Sequence, residues 1–189
     1  MTSDQTPAPE FARPVAADRL ERDGLVLSIE ASEAERAALA RRFGLLAIDA
    51  LRADCRLRPV AGGMIELTAS FDAKVVQECV VTLEPVPAEV HGSFDQRYAL
   101  DPAVLRSFTD GEEEFDPDAD DPPEALEAGA IDLGEAVAQQ LAVTLDPYPR
   151  APGVDFPGAV VGEDGPDAAG EASAPRKVNP FAALEKLKK

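Results

Sequence analysis

The chain has no tryptophan, two cysteines and a single histidine among its 189 residues, and only 5% of it is aromatic. A core built from it must therefore rest on Leu, Val, Ile, Ala and a few Phe. A structural zinc site needs four soft ligands, and Cys55, Cys79 and His91 are the whole supply. No apolar run approaches the roughly 18 residues that a membrane helix needs. The first residues carry neither the basic nor the apolar region of a secretory signal. The expectation is a soluble, cytoplasmic protein with reduced thiols, without bound metal or cofactor and without membrane contact.

Bases are scarce too. Eighteen Lys and Arg face 36 Asp and Glu, giving a net charge of -18. Residues 110–127 hold ten acids and no base, whereas the last 14 residues hold five bases and one acid. Such a chain repels phosphate at long range, so any RNA contact must be local, and a basic partner is easier to justify. Catalytic signals are missing as well. There is no phosphate-cradling glycine motif, and one histidine with no serine or cysteine in a nucleophile setting leaves hydrolysis without a base. The chain reads as a non-enzyme.

What is present divides into four parts. Residues 1–22, with Pro7, Pro9 and Pro14, read as a flexible leader in which Phe11 alone could dock. Residues 23–153 carry the pattern of an α+β domain, interrupted by a mobile acidic loop at 110–127. Residues 154–178 form a Gly/Ala/Pro/Asp linker, and 179–189 a short basic helix.

Within the domain, Leu25 to Ile29 is a short strand. Ser32-Glu33-Ala34-Glu35 is a capping box, and Gly44 is placed to end that helix with a left-handed cap. Leu51, Ala53, Cys55 and Leu57 alternate with Arg52, Asp54, Arg56 and Arg58. After the turn at Ala61-Gly62-Gly63, Ile65, Leu67, Ala69, Phe71, Ala73 and Val75 alternate with polar residues. Pairing the two strands sets the arginines near Glu66 and Asp72. A break is expected at Pro85-Val86-Pro87. A further strand then places Val86, Ala88, Val90, Phe94, Tyr98 and Leu100 on one face, with a bend or bulge at Gly92 and His91 turned to solvent. The fold expected is an antiparallel sheet, with a partly closed barrel as one option, packed with two helices.

The richest stretch is 131–153. Asp132 caps a helix and Glu135 reaches back in a capping box. Leu133, Val137, Leu141 and Leu145 repeat every fourth residue along one apolar face. Pro147 ends the helix, and Asp146-Pro147-Tyr148-Pro149-Arg150 forms a semi-rigid strip that holds a phenol and a guanidinium apart. That shape suits recognition. In the tail, Pro180 fits a first helical position, and Phe181, Leu184 and Leu187 fall on one side of a short docking helix.

Three islands carry a resemblance. The first is Glu78-Cys79-Val80-Val81-Thr82-Leu83-Glu84-Pro85 with the strand after it. The second is Asp132-Leu133-Gly134-Glu135 with Asp146 to Arg150, and the third is Asn179-Pro180-Phe181-Ala182-Ala183-Leu184. Together they resemble the YceD family, in its alphaproteobacterial-type branch. The resemblance implies a non-enzymatic role in making or keeping large-subunit ribosomal RNA. The partners implied are the large-subunit precursor, its RNA or basic ribosomal proteins. An alternative is an acidic adaptor or chaperone for basic proteins without RNA contact. Many relatives carry Cys-x-x-Cys and a second cysteine cluster; here Thr82 stands at the partner position of Cys79, and Asp-Pro-Tyr-Pro-Arg replaces the cluster. Cys79 is accordingly expected as a small buried thiol.

Overall fold

Three long strands joined by tight turns dominate the computed structural model: β3 (Ala47–Val60), β4 (Met64–Glu78) and β5 (Pro85–Ala99). The structure describes residues 9–101, 103–105, 122–126 and 128–154. These belong to a unit spanning Met1–Asp155; the second unit, Phe156–Lys189, lies outside the described residues. The remaining elements are β1 (Pro14–Ala16), a single 3-10 turn at Ala17–Arg19, β2 (Leu25–Glu30), α1 (Glu33–Phe43), β6 (Glu124–Ala125), β7 (Ala130–Asp132) and α2 (Leu133–Thr144).

The alternation of residue types sets the sheet. Leu51, Ala53, Cys55 and Leu57 of β3 are buried, as are Ile65, Leu67, Ala69, Phe71, Ala73 and Val75 of β4. One face therefore forms the core while the other meets solvent. The register sets Arg52 opposite Asp72 and Arg58 opposite Glu66, and both pairs close as ion pairs, at 3.1 and 2.6 Å. The sheet order is β2-β3-β4-β5-β6, antiparallel except for the short parallel pairing of β6 on β5. Among the described residues the barrel option is not realised: the sheet order leaves β2 and β6 as its two edges.

Both helices cover the apolar face. Ser32 caps α1 with the full capping box, and Gly44 takes the left-handed C-cap. In α2, Leu133, Val137 and Leu141 are fully buried, and Leu145, the C-cap residue, packs partly buried against them. The expected box at its start is only half made. Asp132 Oδ1 accepts from the Gly134 and Glu135 N–H groups, but the Glu135 carboxylate is taken by the two-pronged Arg42 guanidinium of α1.

Four expectations need correction. From residue 9 on, the leader is part of the fold: Phe11 is 0% exposed, and β1 pairs antiparallel with β7. Burying a phenylalanine contributes about 2–3 kcal/mol, which a loose tail would forgo. Residues 122–126 of the acidic loop are also placed, through β6 and the half-buried Leu126; the rest of that loop that falls at 110–121 lies outside the described residues. Pro85 and Pro87 do not break the chain but begin β5. Gly92 is not a bulge either, since β4 and β5 pair without a register shift. A Cβ there would come within 2.5 Å of the Phe71 ring, so the glycine makes room for the core aromatic. The register shift falls in β3 instead, between Ile48 and Ala50.

Candidate functional site

The loop joining β4 to β5 is built around Cys79. Its N–H bonds to the Glu84 carbonyl at 2.8 Å, and its carbonyl accepts from Leu83 N–H at 3.0 Å. Closing so tight a loop puts Leu83 at φ 63, a left-handed conformation that a leucine seldom takes. The Thr82 N–H points at the Cys79 sulfur at 3.4 Å, and the Thr82 hydroxyl receives the Glu84 N–H at 3.4 Å.

The proline strip docks on this loop. Beyond α2, the Asp146 carboxylate accepts the Tyr148 N–H at 2.9 Å, a local turn that aspartate favours. The Asp146 carbonyl accepts from the Gln77 amide at 2.8 Å. The Pro149 carbonyl accepts from Val80 N–H at 2.9 Å, and Ala151 N–H reaches the Cys79 sulfur at 3.3 Å. Two stretches 70 residues apart thus share one thiol. Pro149 is buried while Tyr148, at 70% exposed, and Arg150 project outward.

Cys79 is fully buried, yet it lies under this loop and not within the main apolar cluster. Donors around the sulfur favour its charged form and bring the thiol down to about 7, the Thr82 side chain contributing most, then the Ala151 and Thr82 N–H groups. Cys55, on the core face of β3, shows the opposite: burial pushes it up to about 11. Among the described residues, no group of three or more His, Cys, Asp or Glu is arranged to hold a metal ion. His91 is exposed, on the outer face beside Asp72.

Of the residues singled out in the sequence, the loop carrying Cys79, Thr82, Leu83, Glu84 and Pro85 is joined to the strip of Asp146, Pro147, Tyr148, Pro149 and Arg150 at one end of the sheet, through Gln77, Cys79 and Val80. Asp132 and Gly134 do not join them. They stand at the far end of α2, which at 12 residues is about 18 Å long. There they bind the N-terminal segment: Arg13 N–H donates to Asp132 at 2.8 Å, and Leu133 N–H donates to the Arg13 carbonyl at 3.2 Å. Pro180, Phe181, Leu184 and Leu187 lie outside the described residues.

One member of the site was missed. Gln77 is the polar residue at 7% exposure that ties the strip to β4. It occupies the next inward position after Val75, and a glutamine on an otherwise apolar face was the available signal. Around the site, Val80, Leu83, Val143 and Tyr148 are exposed apolar side chains. An open groove of about 480 Å3 runs between Phe43, Leu45, Val80, Val143 and Pro147.

The outer face of the sheet carries charges of both signs. Three pairs close there, Arg52 with Asp72, Arg58 with Glu66 and Lys74 with Glu89. Exposed pairs of this kind contribute about 0–1 kcal/mol each.

The arrangement is a rigid polypeptide surface presenting a phenol, a guanidinium and several apolar side chains, which is the equipment of a binding module. The chain belongs to the YceD family, described as large ribosomal RNA subunit accumulation proteins, whose family model matches residues 67–188. That span takes in both the cysteine loop and the proline strip. No curated protein and no solved structure matches the chain.

Proposed function

We propose that this protein is a non-enzymatic ribosome biogenesis factor that supports the synthesis, processing or accumulation of large-subunit ribosomal RNA. The observation that carries the reading is the family match over residues 67–188. The surface built by the cysteine loop and the proline strip supports a binding role. Its backbone is fixed by hydrogen bonds from four directions, so Tyr148, Arg150, Val80 and Leu83 are held ready at little cost in conformational entropy on binding. Its partners would be the large-subunit precursor, through its RNA or its basic proteins, met in the cytoplasm. The tail at 179–189 would add a second contact through Phe181, Leu184 and Leu187. Asp146 to Arg150 and Asn179 to Leu184 support the alphaproteobacterial-type branch.

The net charge of -18 favours a second reading, an acidic adaptor for basic proteins that touches no RNA. Deleting the protein should lower mature large-subunit RNA relative to small-subunit RNA. Capture of the tagged protein from growing cells, with and without ribonuclease, separates the readings. Loss of large-subunit components on ribonuclease treatment supports RNA contact, and persistence of basic proteins alone supports the adaptor. Normal subunit RNA ratios in fast and in cold growth would overturn the ribosomal role.

A further inference from the structure

Gly44 ends α1 with its left-handed cap, at φ 68, and Pro147 keeps α2 from running on past Leu145. Both stops border the same groove of about 480 Å3. Phe43 and Leu45 line it from the end of α1, Ala142 and Val143 from the end of α2, and Glu78 and Val80 from the end of β4. Its volume falls within the roughly 300–1,000 Å3 of pockets that enclose sizeable ligands.

The lining is apolar except for Gln77, Glu78 and Asp146. The Gln77 amide is spent on the Asp146 carbonyl at 2.8 Å, so the two carboxylates carry the charge. Among the described residues, no lysine or arginine lines the groove. Arg42, in the last turn of α1, is drawn to Glu10 and Glu135 at 3.0 and 2.7 Å. Arg41 and Arg150 are exposed and stand outside the lining. The last turn of α2 holds no base. A helix carries about half a negative charge at its C-terminus, and here two such ends converge beside two carboxylates.

An apolar groove of one sign selects its occupant. An RNA phosphate would meet only negative groups in it, and a second copy would bring a further -18 against the first. A cation on an apolar segment meets neither obstacle, and Val80 and Val143, both exposed, offer it apolar surface to cover.

We propose that this groove receives a lysine- or arginine-bearing segment of a partner protein. The segment seats large apolar side chains between the two helix ends and sets its cations against Glu78, Asp146 and the helix C-termini. This names a partner class for the ribosomal role and rests on that reading only for the source of the segment.

The test uses the full chain and a labelled synthetic peptide of leucine and lysine, with leucines three and four residues apart, followed by fluorescence anisotropy. Glu78→Lys reverses one charge of the lining and should weaken binding about fivefold at low salt. Val143→Lys should weaken it about tenfold; a cation in the last turn of α2 suits the helix dipole, so this variant should melt no lower than wild type. A leucine–glutamate peptide of the same pattern should not bind, and neither should a serine–lysine peptide. Equal binding of the serine–lysine peptide would mean that the acidic chain as a whole attracts cations and would overturn the proposal. So would binding that neither substitution changes. Tighter binding after deletion of residues 179–189 would make the chain's own tail the occupant and overturn it too. A Val143-dependent dimer or a Val143-dependent oligouridine complex would assign the groove to a second copy or to RNA, with the same consequence. Peptide binding with normal ribosomal RNA ratios would sink the ribosomal reading alone.

Discussion

Gly134 and Phe11 are in backbone contact: a Cβ built on Gly134 would lie 1.8 Å from the Phe11 carbonyl oxygen. The first turn of α2 and the N-terminal segment are fitted to each other at this point. Gly134→Ala should cost about 3 kcal/mol, the upper part of the usual range for overpacking, because the obstacle is backbone and cannot rotate aside. Urea unfolding should show a lower midpoint, and proteolysis should reach residues 9–16 first. An unchanged midpoint would mean that the two segments are not packed together.

Leu141 sits fully buried in the middle of the α2 face. Leu141→Ala should destabilise the fold by about 2–5 kcal/mol. Val143, two residues on and 75% exposed, should tolerate alanine within about 0.5 kcal/mol. Melting curves that do not separate the two variants would show that α2 faces another way.

Much of this fold could be read from residue order. The period-two alternation in β3 and β4 gave their faces and the Arg52–Asp72 pairing, because a one-residue slip would have turned every apolar side chain outward. Ser32, Glu35 and Gly44 marked both ends of α1 through local hydrogen-bond chemistry. What failed depended on distant partners. The leader around Phe11 looked loose, although Phe11 itself was marked as able to dock, because its pocket is completed by α2, more than 100 residues later. Pro85 and Pro87 looked like a break because strand parity, which makes them harmless, is visible only once Cys79 is seen to bond Glu84. At the site, Cys79 and the strip were both legible, but their meeting through Gln77, Val80 and Ala151 was not.

The two thiols should titrate far apart. Cys79 falls to about 7 and Cys55 rises to about 11, against an ordinary value of 9.0. A thiolate absorbance step centred near pH 7 should vanish in Cys79→Ala and persist in Cys55→Ala. The sign for stability follows. A lowered acid contributes fully above pH 9.0, and that contribution is lost as pH falls through about 7. Wild type should therefore gain stability over Cys79→Ala as pH rises through this window. A step that survives Cys79→Ala would place the low thiol elsewhere.

At the acid end, Glu35 is held at about 2, chiefly by its hydrogen bond from Arg13, against an ordinary 4.5. Its two oxygens accept from the Arg13 guanidinium at 2.7 and 3.0 Å, tying the N-terminal segment to α1. The contribution is present above pH 4.5 and is lost as pH falls through about 2. Glu35→Gln should cost up to about 1 kcal/mol at neutral pH, the worth of a partly exposed ion pair, since glutamine can still close the capping box. The variant should also unfold less steeply with acid. Parallel acid-unfolding curves for variant and wild type would show that the pair does not form in solution.

Whether the surface of cysteine loop and proline strip serves large-subunit RNA is tested most directly by complementation. A strain lacking the protein would receive either the wild-type chain or one carrying Tyr148→Ala and Arg150→Glu, two exposed changes that should leave the melting temperature unaltered. The ratio of mature large-subunit to small-subunit ribosomal RNA is then measured at equal protein levels. The account predicts that wild type restores the ratio and that the folded double variant does not. Full restoration by the double variant would contradict it.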